Sequence, residues 1–187
     1  MALGTREALV QTGESLMRTK GYAAFSYADL ADTVGIRKAS IHHHFPTKED
    51  LGTAIVEEYV ERVRNDFAVI ERSNATALGR VEGFVKAFQA SATGGVLPLC
   101  GALAAEMSAL PTGLQQLTHR FFDMQLDWLE SVFNAGIEAG EFSRGSGARP
   151  KAHALLSLLE GSSFIGWATQ SAGTLDERLI LRVIQEA

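Results

Sequence analysis

Apolar residues recur along this chain with helical spacing, and strand-like alternation is hard to find. Over 6–20 they fall at Leu9, Leu16 and Met17, with Thr5 as the expected N-cap and Gly21 as the stop. Ser26-x-x-Asp29 has the form of a capping box, with Asp in place of Glu or Gln, and opens a short helix through Val34. Gly35 breaks it. A second short helix follows over 37–44 and ends before Pro46, because the residue preceding a proline disfavours the α region. Thr47-x-x-Asp50 repeats the cap signal ahead of a long helix carrying Leu51, Ile55, Tyr59, Val63 and Phe67 at i,i+4 spacing. Further helical patterns cover 76–91, a short piece at 100–109 between Pro98 and Pro111, and 113–139. The stretch 140–150, GEFSRGSGARP, has linker composition. Two helices close the chain, over 150–170 and 174–186. The predicted fold class is all-α, with about nine helices.

The most informative segment is 26–45. Leu30, Val34, Ile36 and Ile41 can face one core, and Ala31 lets the second helix pack closely. Gly35 allows the positive φ of a tight turn. This is the sequence form of a helix-turn-helix; an ordinary αα-hairpin is the plainer alternative. From Arg37 to Lys48 there are basic residues and no acid, whereas the whole chain carries a net charge of −5. Any attraction to nucleic acid is therefore local. Arg37, Lys38 and Ser40 are placed to reach bases or phosphates. Lys48, near the start of the next helix, is an expected phosphate clamp. His42, His43 and His44 invite a metal reading, but consecutive helical positions point about 100° apart and cannot jointly chelate one ion. No metal and no cofactor is expected. Histidine can donate to phosphate and adds charge when protonated, so DNA binding is expected to tighten on mild acidification.

A first helix near residue 5, then Gly21-Tyr22-x-x-Phe25-Ser26, two short helices, and Ser40-Ile41-His42-His43-His44-Phe45-Pro46-Thr47-Lys48-Glu49-Asp50-Leu51 together resemble the TetR family of transcriptional regulators. The resemblance covers about the first 55 residues. It departs from the family at His42 and His44, where tyrosines beside the DNA backbone are common. It implies a three-helix DNA-binding domain over 1–50, to which Ser26 also contributes, and a helical ligand-binding and dimerisation domain over 51–187. It implies a repressor that binds a palindromic double-stranded operator as a homodimer and leaves it when a small molecule binds.

The body is compatible with that role. Phe84, Phe88, Leu97, Cys100, Leu103, Met107, Phe121, Met124, Trp128, Phe164 and Trp167 supply candidate walls for a ligand site, though for any single one of them core packing is the plainer account. Leu155, Leu158, Leu159 and Ile165, with Leu179, Ile180 and Val183, form apolar stripes that suit a dimer interface or internal packing. Composition narrows the remaining choices. The chain has 187 residues, 46% of them hydrophobic, and a single cysteine, so it can bury a core and forms no intrachain disulfide. There is no run of apolar residues for a membrane span, and a cytoplasmic location is expected. No nucleophile–base pattern, phosphate-cradling glycine loop or paired histidine ligand is present, so an enzyme is not expected. The alternative is a helical small-molecule-binding protein or enzyme without DNA binding.

Overall fold

The computed structural model describes residues 4–92, 96–171 and 176–186, without the side chains of Glu177, Val183, Gln185 and Glu186. The described residues form nine α-helices and one 3₁₀ turn, with no strand. They are α1 (Thr5–Lys20), α2 (Tyr27–Val34), α3 (Lys38–His44), α4 (Lys48–Ser73), α5 (Ala77–Ser91), α6 (Leu99–Ala105), the 3₁₀ turn Met107–Ala109, α7 (Thr112–Glu138), α8 (Ala148–Thr169) and α9 (Glu177–Glu186). No described helix is long and apolar enough to cross a membrane.

The chain packs as two compact units, and they do not divide at residue 50. The first is Met1–Arg62 with Leu99–Phe121; the second is Val63–Pro98 with Phe122–Ala187. Helices α4 and α7 each contribute residues to both. The sequence offers no linker at 50–51, because Leu51 begins an unbroken apolar stripe.

In the first unit, α1 packs on α2 and α6, and α2 on α3. Leu9, Met17, Leu30, Ile41, Leu51 and Ile55 are fully buried there, each contributing about 1.5–3 kcal/mol of burial. Two caps fix the short helices. Ser26 and Asp29 close the expected capping box on α2, the Asp29 carboxylate accepting from Ser26 N at 2.8 Å. Thr47 and Asp50 do the same for α4, at 2.9 Å and 3.1 Å. At α1, however, the N-cap is Gly4 without a side-chain bond, so Thr5 is not the cap. Gly35 adopts φ 75° in the left-handed region. A Cβ there would meet nothing within 4 Å, so backbone conformation is what requires glycine.

The second unit is built on Phe67, Val81, Phe84, Val85, Leu129, Phe133, Leu155 and Leu159, with Ile180 and Ile184 of α9 packed in. Helices α8 and α9 pair, and α5 contacts both. The expected helix over 100–109 is broken in the first unit: α6 ends at Ala105, and the 3₁₀ turn carries the chain to Leu110. Pro111 follows directly, and the residue before a proline resists helix. The expected start of the last helix at 174 lies outside the described residues.

Candidate functional site

Helix α3 is only seven residues long, and what orients it is mostly backbone-directed. The Tyr27 hydroxyl lies 2.9 Å from the Phe45 carbonyl and 2.5 Å from that of Thr47, so its proton is shared by the turn leaving α3. Burial pushes its pKa up to about 12, with Asp50 adding to the shift, so it remains a donor. The His42 ring lies tilted against Tyr27 at 4.9 Å and its Nδ1 pairs with the Pro46 carbonyl at 3.1 Å. A ring nitrogen facing a carbonyl carries the proton, which leaves Nε2 outward as an acceptor in the neutral form. Ile41 anchors the inner face. The outer face is exposed at Arg37, Lys38, Ser40, His42, His43 and His44. Among the described residues, neither Arg37 nor Lys38 has a carboxylate partner. Ser40, His43 and His44 share a shallow open depression with Thr5, Ile36 and Ala39, and the two histidine rings meet edge to face at 5.5 Å.

Two expected DNA contacts are already engaged within the unit. The Ser26 hydroxyl donates to Asp29 at 2.6 Å and serves the cap. Lys48 turns inward: its ammonium donates to the Ala23 carbonyl at 3.3 Å and lies over the rings of Tyr22 and Phe25 at 4.6 Å and 4.5 Å. Desolvation lowers its pKa, against the pull of Glu106 and Asp29. Lys48 therefore ties α4 to the α1–α2 loop. Glu106 ties the same loop to the end of α6, accepting from Ala23 N at 3.1 Å. Gly21, at φ 87°, lies so close that a Cβ would collide with the Glu106 carboxylate. Sequence reasoning missed Tyr27 and Glu106 as positioning residues. Glu106 carried no local signal, being 83 positions from its partner.

The candidate ligand residues do not form one group. Cys100, Leu103, Met107 and Phe121 belong to the first unit. Phe84, Phe88, Met124 and Trp128 come together in the second, where Phe67 stacks on Trp128 at 4.4 Å and Phe84 lies 5.8 Å from it. The Trp128 indole donates to Glu71 at 2.8 Å. Leu97 is buried, Phe164 half-buried, and Trp167 is 42% exposed. The candidate dimer residues also separate. Leu155, Leu159 and Ile180 are buried in the core of their own unit, with Leu158 packed against it, so internal packing takes those side chains. Ile165 and Leu179 remain 66% and 48% exposed. The Val183 side chain lies outside the described residues.

Comparison with known proteins places these features. Residues 9–55 match the family described as bacterial regulatory proteins, tetR family. The HTH-type transcriptional repressor KstR2 of Mycobacterium tuberculosis is 25% identical over 138 residues, covering 73% of this chain and 68% of that one. A TetR transcriptional regulator from Legionella pneumophila superposes with a TM-score of 0.82 at 26% identity, covering 99% of this chain and 95% of that one. A TetR-family regulator from Agrobacterium tumefaciens gives 0.84 at 27% identity, covering 97% and 93%. With the tetR-family match over residues 9–55 at its N-terminus, the chain is similar along its whole length to TetR-family regulators.

Proposed function

We propose that the protein is a ligand-responsive transcriptional repressor, not an enzyme, that binds a palindromic operator as a homodimer and is released by a small-molecule effector. The observation that carries the reading is the outer face of α3: exposed, basic at its start, free of acids, and held by an inner face buried at Ile41. Arg37 and Lys38 reach the major groove, with Ser40, His43 and His44 beside them. Phosphate contacts supply most of the affinity. Lys48 and Ser26 support this surface from behind rather than touch DNA.

The aromatic cluster around Phe84, Phe88 and Trp128 is the candidate effector-binding region. Ile165 and Leu179, exposed apolar side chains on α8 and α9, are the candidate dimer contacts. The effector acts by binding more tightly to a conformer unsuited to the operator, and DNA must weaken effector binding by the same factor. The test is a fluorescence-anisotropy titration with DNA from around the protein's own gene, at several salt concentrations. Sequence-selective binding that falls steeply with salt is expected. Weak binding equal on unrelated DNA, together with failure of a random-library selection to recover a palindrome, would sink the reading.

A further inference from the structure

The second unit buries two charged side chains on α8 and treats them oppositely. Lys151 is wholly buried, and its ammonium donates to the Ile184 carbonyl at 3.2 Å. Ile184 sits in the last turn of α9, where carbonyls lack helical partners, so this bond serves both groups. Glu160 lies further along the same helix. Both of its carboxylate oxygens are shielded from solvent, and among the described residues neither has a hydrogen-bond partner. Burial pushes its pKa up to about 7.

An orphaned buried acid is costly in a folded protein. Its surroundings show no architectural reason for it. Leu156, one turn before on the same side of α8, joins the apolar core that contains Phe84, Phe88 and Leu159. Phe164, one turn after, is half-buried. A leucine at 160 would continue this apolar run at no desolvation cost.

We propose that Glu160 is the polar anchor of the effector site, and that the effector is an amphiphilic organic cation: an aliphatic or aromatic body bearing one protonated amine. The inference rests on the reading of the second unit as the effector-binding body. The chemistry selects among ligands in three ways. An anion would bury a second like charge beside the first. A neutral alcohol offers one donor to two acceptor oxygens and leaves the ionised carboxylate uncompensated. An ammonium offers three donors and the opposite charge, in a low-dielectric setting where a charge-assisted bond is strongest. Phe67 and Trp128, stacked on each other, belong to the aromatic core of the same unit.

The experiment compares octylamine and 4-phenylbutylamine with 1-octanol and octanoate. Binding is followed by calorimetry and by tryptophan fluorescence, on the full chain and on Glu160→Gln and Glu160→Leu. Leucine removes the buried charge, so that variant keeps the test readable should the glutamine variant fold poorly. The amines are expected to bind at least tenfold more tightly than the alcohol or the carboxylate. Both variants are expected to lose that preference while retaining 1-octanol binding. Equal amine affinity in parent and variants, preference for octanoate, or no amine binding to the folded parent would each overturn the proposal. Operator anisotropy on the same parent sample separates the two readings. Operator binding without amine binding removes only the effector class. Amine binding that depends on Glu160 without operator binding keeps the anchor and removes the repressor.

Discussion

Both units tie distant segments with polar side chains, Arg149 to Asp127 and Glu130 and Trp128 to Glu71 in the second, but they differ in what their cores leave unpaired. In the first, charged side chains stitch distant segments together: Arg6 to Glu58 at 2.9 Å, Arg62 to Glu14 at 2.5 Å, Lys20 to Asp29 at 2.8 Å, and Glu106 to Ala23 N at 3.1 Å. Singly, such exposed pairs contribute little. Jointly with two capping boxes and the Tyr27 bond, they over-determine the path from α1 to α4. In the second unit the core is apolar and aromatic, and among the described residues it leaves the Glu160 carboxyl without a hydrogen-bond partner. A surface that must match a rigid duplex needs fixed geometry. A body that must accept a molecule and respond can carry an unmet demand. The contrast suggests that the first unit is built for precision and the second for exchange.

The largest expected effect tests the unmet demand. Glu160 is raised from 4.5 to about 7 by burial, and at about 1.4 kcal/mol per unit this corresponds to about 3 kcal/mol. The sign follows from which state binds protons. Below the unfolded value, near 4.5, the carboxyl is protonated in both states and costs nothing by this route. Between 4.5 and 7 the folded state holds the proton more strongly, so stability falls as pH rises, and the full penalty is present above 7. Glu160→Leu should therefore stabilise the protein by about 3 kcal/mol at pH 8, with the ionisation-linked part of the gain vanishing at pH 4. Urea unfolding at the two pH values reads this directly. A gain independent of pH would mean that the folded and unfolded states hold this proton equally, so that burial does not shift the carboxyl.

The next effect concerns the outer face of α3. Arg37→Ala with Lys38→Ala should weaken operator binding by about 100-fold and lower the salt slope by about two, while leaving the unfolding midpoint within experimental error. If the midpoint falls instead, these residues belong to the stitching of the first unit. Gly21→Ala probes that stitching itself. Its φ of 87° and the collision with Glu106 should together cost about 2 kcal/mol. Gly21→Ala combined with Glu106→Ala should recover the collision part and retain the backbone part. Full additivity of the two losses would show that the close approach is not tight.

How much of this was legible in the sequence depends on the range of the interactions. Helix positions were legible because capping and periodicity act over three or four residues: Ser26 with Asp29, Thr47 with Asp50, and Gly35 after Val34 all appear where local pattern puts them. The helix-turn-helix was legible for the same reason, and Arg37, Lys38 and the histidines emerge on an exposed face. The division of the body was not legible. Whether Leu155 or Ile165 turns inward is decided by α5, α7 and α9, and the apolar stripe of α8 is too wide to say. Lys48 was read as a phosphate clamp from its place at a helix start; the rings of Tyr22 and Phe25, more than 20 positions away, take its ammonium. Glu160 did carry a signal, since an acid one turn from Leu156 and one from Phe164 interrupts an apolar run. It gained weight only when the structure showed both oxygens unpaired.

The smallest effect separates two roles for Ser26. As a DNA contact, its hydroxyl would be lost to phosphate on substitution, and operator affinity would fall without a change in stability. As a cap, it is already engaged: it donates to Asp29 at 2.6 Å and accepts from Asp29 N at 3.3 Å. The Asp29 carboxyl is held well below its usual range by Lys20 first and Ser26 second, so the ionised form that closes the box persists through mild acid. Ser26→Ala should therefore cost about 1 kcal/mol of stability. Ser26→Thr, which keeps the oxygen, should cost only a few tenths. Affinity for the operator should drop in proportion to the loosening of α2 and α3, with no change in the salt slope, because a neutral hydroxyl displaces no counterion in either role. A loss of operator affinity with the unfolding midpoint unmoved would transfer Ser26 from the cap to the DNA surface. The first unit would then be using the same hydroxyl for its own geometry and for its partner's.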